Sequence, residues 1–197
     1  MSERQPFSFK IENMRITVKT GIIVALIWIA VKMLYHFVNP EGSIVPMLFA
    51  NMFCLLSAIA VGLFLDKKSK RYAKGSAMDD MKAAMQAGIP YAILVVVFIG
   101  FYYAKINPEY VDKMATERMT AIQKELDDPV KLKEIKASKE EFQVMTKEEI
   151  YKEMDNSTRT VISSKAITLI SLLSLTVLST FYSLLVTIIF RKVLFRG

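Results

Sequence analysis

Cysteine is nearly absent: the 197-residue chain has one, Cys54. That excludes a disulfide framework. A single histidine, His36, leaves too few ligands for a histidine-based metal site. Seven glycines and six prolines exclude collagen-like and low-complexity chains. The chain also lacks a P-loop, an H-E-x-x-H helix, a G-x-S-x-G elbow and a CxxC pair. No catalytic residue, metal or cofactor is therefore expected, and the chain reads as a non-enzyme. Disorder is excluded as well, because 53% of the residues are hydrophobic.

The most informative absence is of charge over long stretches. Segments 20–38, 44–65, 83–104 and 166–190 cover 88 residues and hold one of the 45 charges, Lys32. A helix rises about 1.5 Å per residue, so about 20 apolar residues cross a roughly 30 Å hydrocarbon core. These runs are apolar on every face, unlike the alternating strands of a transmembrane barrel. The expected fold is an all-α integral membrane protein, a bundle of four transmembrane helices. The first run is too long for a signal-peptide core and no A-x-A site follows, so it should remain as an anchor.

Basic residues orient the spans. Arg4, Lys10, Arg15 and Lys19 precede the first span. Lys67, Lys68, Lys70, Arg71, Lys74 and Lys82 follow the second, and Arg191, Lys192 and Arg196 follow the fourth. The turn after the first span has none. Both termini and the 66–82 loop are thus expected in the cytoplasm, with residues 105–165 outside. Lys67, Lys68, Lys70, Arg71, Arg191 and Lys192 read as topology markers and contacts to lipid headgroups. No aromatic-interleaved basic motif accompanies them, so nucleic acid is not an expected partner.

Domain organisation follows. Residues 1–104 hold the N-terminal segment and spans one to three, 105–165 a helical periplasmic insert, and 166–197 span four with its tail. Ser76 and Asp79 resemble a capping box that starts the third helix near Ala77, and Pro90 falls inside it. Asn107-Pro108 should break that helix. In the insert, Val111, Met114, Ala115, Met119, Ile122 and Leu126 recur at helical spacing over 108–126. Val130, Leu132 and Ile135 fit a short helix or an extended piece. Thr146 and Glu149 form a capping box, with Met145 and Ile150 as a hydrophobic staple. Asn156-Ser157-Thr158 is expected to interrupt the helix that starts there. The insert reads either as a solvated connector or as a docking surface.

Small residues mark where helices approach. Ala50, Cys54, Ala58 and Gly62 form one stripe in span two; Gly88, Ala92 and Gly100 lie on another in span three; Gly21 and Ala25 lie in span one. They fit packing within the bundle or against another subunit. Eight hydroxyl residues in span four fit helix packing better than a pore, because Ser and Thr can bond back to their own helix. Lys32 has Tyr35 and His36 on its face, and Asn51 lies at the matching depth of the antiparallel second span. Lys32, Tyr35, His36 and Asn51 are thus a candidate intramembrane polar cluster, with Glu41 able to complete it. Either Lys32 snorkels to the rim or the cluster is a substrate or proton site.

Several features together resemble a known family: the basic N-terminus running into span one, the short outer turn, the loop LFLDKKSKRYAKGSAMDDMKAAMQAGI, and the insert phrase MTKEEI at Met145–Ile150. They are similar to the uncharacterised Bacteroidota inner-membrane family called domain of unknown function 4199. The resemblance implies a four-helix protein of a Gram-negative envelope, with no catalytic residue to carry over. The functional expectation is an accessory or assembly subunit contacting lipid and either a membrane-protein partner or a second copy. The alternative is a small transporter or channel component.

Overall fold

The computed structural model describes residues 15–40, 42, 44–70 and 75–193. They form eight α-helices and no strand. Four helices are long and apolar enough to cross a membrane: α1 (Ile16–Val38), α2 (Val45–Ser69), α3 (Ala77–Phe101, continued by a π-helical turn over Tyr102–Ile106) and α8 (Ser164–Val193). Between α3 and α8 lie α4 (Pro108–Asp127), α5 (Pro129–Ser138), α6 (Glu140–Val144) and α7 (Lys147–Val161). The chain divides into two compact units. One holds the chain up to Val95 and from Leu172 onward; the other is Val96–Ser171. The division falls within α3 and α8, inside their apolar stretches.

In the first unit many large apolar side chains point outward, while the inner faces mix small residues with a few large ones, Leu55, Ile59, Leu63 and Tyr91. Ile23, Leu26, Phe53, Ile93, Val177 and Phe181 are exposed, whereas Ala25, Ala58, Ala84, Ala87 and Ala92 are buried. Lipid tails solvate Leu and Phe as well as a protein core does, so burying them stabilises little there. Close backbone contact and dispersion must hold the helices together instead. The glycines show how close the contact is. A Cβ on Gly21 of α1 would lie 2.1 Å from the Ala87 carbonyl oxygen of α3. One on Gly62 of α2 would lie 2.6 Å from Ala87 Cβ. One on Gly88 would lie 2.1 Å from Ser179 Oγ of α8. The hydrogens that glycine carries there point at oxygen, giving weak Cα–H···O contacts at Gly21 and Gly88. Four helices thus meet at Ala87 and Gly88, neither of which has room for a larger neighbour.

The second unit has a core of its own. Met119, Ile122 and Leu126 of α4 pack with Phe142 of α6 and Ile150 of α7, all at most 5% exposed. Leu132, Ile135, Met145 and Tyr151 close around them. Asn107 caps α4 by accepting from the Tyr110 N–H, and Asp128 caps α5 by accepting from the Val130 N–H. Thr146 and Glu149 form the expected capping box. Lys147 also pairs with Asp127, joining α7 to the end of α4. The Ser76–Asp79 box is present as well: Asp79 N–H donates to Ser76 Oγ, and Ser76 N–H to Asp79 Oδ2, both at 3.1 Å.

One expectation needs correction, and two are sharpened. Asn156-Ser157-Thr158 does not interrupt α7, which continues to Val161. The Thr160 hydroxyl donates to the Asn156 carbonyl and Arg159 pairs with Asp155, so these polar side chains bond within the helix. Of the two readings of the segment after Pro129, the structure has the helical one, with α6 following as a separate turn. The third helix breaks at Asn107-Pro108, as expected. It widens after Phe101, where the Asn107 N–H reaches back five residues to the Tyr102 carbonyl at 2.8 Å.

Gly21→Ala should destabilise the protein in detergent by about 1–3 kcal/mol, because its new methyl meets backbone that cannot rotate away. Gly100→Ala should cost much less. Its nearest neighbour is the Thr168 hydroxyl at 2.9 Å, a side chain that can turn, and alanine adds about 0.5–1 kcal/mol of helix preference. Thermal unfolding followed by Trp28 fluorescence compares the two. The Thr146 N–H and hydroxyl hold the Glu149 carboxyl below its ordinary range. The cap should therefore be intact above pH about 4.3 and be lost as pH falls through the depressed folded value. Hydrogen exchange of the first α7 amides checks this; Glu149→Gln should remove the pH dependence.

Candidate functional site

Charged and amide side chains are costly inside a bundle, so those buried in the first unit are its candidate functional groups. They form two sets. The first sits where α2 leaves its apolar stretch. Ionic residues end the buried faces of α2 and α3, Lys67 after Ile59 and Leu63, and Asp80 before Ala84 and Ala87; Arg191, 40% exposed, follows the buried Ser183 and Thr187 of α8. Lys67 Nζ lies 2.6 Å from Asp80 Oδ1, with side chains 8% and 5% exposed. Arg191 Nη1 lies 2.8 Å from Asp80 Oδ2 and donates to the Gly75 carbonyl at 3.0 Å. One carboxylate thus holds cations from two other helices, each oxygen taking one.

The second set lies nearer the α1–α2 turn. The Tyr91 hydroxyl of α3, fully buried, donates to Asn51 Oδ1 of α2 at 2.6 Å. Lys32 is only 8% exposed, on the face that α1 buries with Gly21, Ala25 and Trp28. Its Nζ lies 6.0 Å from the Tyr35 ring centroid. Tyr35 and His36 are half-buried. Protein, rather than lipid, covers the Lys32 side chain. Glu41 lies outside the described residues.

The structure separates residues that the sequence reading had grouped. Lys67 is not a headgroup contact at an exposed rim: it is buried on Asp80, because it continues the face of Ile59 and Leu63. Arg191 shares that carboxylate. Lys70 pairs with Asp66 at 2.7 Å, while Lys68 and Lys192 are exposed. Arg71 lies outside the described residues. In the packing stripes, Ala58, Gly62, Gly88 and Ala92 are buried, whereas Ala50, Cys54 and Gly100 are half-buried. Asp80 and Tyr91 were missed. Both fall on the helical face of Ala84 and Ala87, and that spacing was the available signal. On α8, Thr168, Thr176, Thr180 and Thr187 each donate to the carbonyl four residues back. Ser179 and Ser183 are buried with no hydrogen-bond partner among the described residues.

A family model described as protein of unknown function (DUF4199) matches residues 19–192. The chain belongs to this family. No curated protein and no solved structure matches it. The matched range takes in all three members of the ionic set and Lys32, Tyr35, His36 and Asn51.

Removing the shared anion should cost more than removing one cation. Asp80→Asn leaves Lys67 buried without its counter-charge and should destabilise by about 3–5 kcal/mol. Lys67→Met leaves Asp80 paired with Arg191 and should cost less than half as much. Thermal unfolding in detergent distinguishes the two.

Proposed function

We propose that this member of the family is a non-enzymatic, multi-pass subunit of the bacterial inner membrane, with both termini cytoplasmic. On this reading its periplasmic helical unit docks a membrane-protein partner or a second copy. The basic residues flanking the first, second and fourth spans support the orientation. One observation carries the docking role: the insert between α3 and α8 has its own apolar core of Met119, Ile122, Leu126, Phe142 and Ile150. A solvated connector has no need of one. A core fixes the relative positions of α4, α6 and α7, and so gives their charged outer faces a defined shape. Gly21, Gly62 and Gly88, which also suited a subunit interface, are occupied by contacts within the bundle.

A second reading, a small transporter or channel component, rests on the burial of Lys32 inside the bundle. One pair of experiments separates the two. A photoreactive residue at Glu148 or Lys152, both exposed on α7, should capture one protein of defined mass. The same residue at lipid-facing Val97 or Leu173 should capture none. A protein that is monomeric in native detergent and yields no insert adduct overturns the docking role. In reconstituted vesicles, a solute flux abolished by Lys32→Ala would establish the second reading in its place.

A further inference from the structure

The second unit contains a cavity of about 330 Å³, within the size range of small-ligand sites. It lies where the apolar stretches of α3 and α8 give way to the charged insert. Tyr103 of the π-helical turn, Val111 and Asp112 of α4, Arg159 of α7, Ile162, and Ser164 at the start of α8 line it. Val111 and Ile162 supply apolar wall. The polar residues are of both signs, and each has unused capacity among the described residues. Tyr103 is 6% exposed and its hydroxyl makes no hydrogen bond. Its ring is held between those of Tyr102 and Tyr110, with centroids 5.0 and 5.9 Å away. The exposed Asp112 carboxylate pairs with no cation. Arg159 uses Nε on both oxygens of Asp155, at 2.9 and 3.1 Å, which leaves its two terminal nitrogens without partners. Ser163 Oγ accepts from the Ala166 N–H, while the Ser164 and Lys165 amides at the positive end of α8 remain available.

The Tyr103 hydroxyl, without a protein partner among the described residues, is open to a bond from a ligand. A carboxylate and a guanidinium lining one cavity without pairing to each other suit a ligand that carries both charges. We propose that this cavity binds an aminoalkyl phosphate, its ammonium on Asp112 and its phosphate on Arg159, the Tyr103 hydroxyl and the first amides of α8. That is the headgroup chemistry of an ethanolamine phospholipid, and also of free phosphoethanolamine. The position at the end of the apolar helices allows acyl chains to run down α3 or α8 while the headgroup sits in the cavity.

Native mass spectrometry of the full-length protein in mixed micelles tests this. Phosphatidylethanolamine and phosphatidylglycerol are supplied in equal amounts. Phosphatidylethanolamine should be retained preferentially. Arg159→Gln and Asp112→Asn should each lower its retention about tenfold, the loss expected for one charge-assisted bond. Asp112→Lys should reverse the preference toward phosphatidylglycerol, a gain that a misfolded protein could not show. Free phosphoethanolamine at millimolar concentration separates the sources. Lipid that resists displacement supports a lipid site, whereas displacement that is weakened by the same variants supports a soluble ligand. Equal retention of both lipids, unchanged in the variants, overturns the proposal.

Discussion

The close approach of four helices around Ala87 and Gly88 is the constraint on which the first unit rests. In water, apolar burial would hold these helices together at roughly 25 cal/mol per Å². Among lipid tails that term is missing, and what remains is contact at short range plus the polar bonds that hydrocarbon cannot offer. Both are found together. Gly21 and Gly62 admit Ala87, Gly88 admits Ser179, and the neighbouring turns carry the Tyr91–Asn51 hydrogen bond and the Lys67–Asp80 pair. The exposed Phe53, Val177 and Phe181 follow from the same physics, since lipid solvates them as well as a core would.

The second unit obeys the opposite rule. Its helices are charged, and they bury Met119, Ile122, Leu126, Phe142 and Ile150 from water in the ordinary way. Caps matter more here, because short helices have a high proportion of unpaired backbone groups at their ends. Asn107, Asp128 and Thr146 each satisfy an amide at a helix start. One chain thus uses two packing regimes, and α3 and α8 pass from one to the other.

Much of this architecture was legible in the residues. The four spans, the start of α3 and the two capping boxes came from hydropathy and side-chain spacing, which are local properties. The apolar face of α4 was legible too, because it faces a water-excluding core and repeats every 3.6 residues. The interruption expected at Asn156-Ser157-Thr158 was wrong: the flanking Asp155–Arg159 pair and the Thr160 hydroxyl on the Asn156 carbonyl bond within the helix. The ionic set was harder to see. Lys67, Asp80 and Arg191 each look like rim residues alone; only their place on the faces of Leu63, Ala84 and Thr187 shows that they point inward. Pairing between helices is tertiary, and one helix at a time cannot show which cation meets which anion. The widening after Phe101 left no local signal.

The shared carboxylate bears on how α8 is aligned. Its inner face repeats a small hydroxyl residue every four positions, at Ser179, Ser183 and Thr187. Such a repeat is nearly degenerate: sliding α8 by one turn would set another small residue against Gly88. Arg191 occurs once on that face, and Asp80 once on α3. A slip of one turn, about 5.4 Å, would carry the guanidinium away from both Asp80 and the Gly75 carbonyl. The ion pair therefore works as a pin in a ratchet, selecting one register among several that the packing alone would accept.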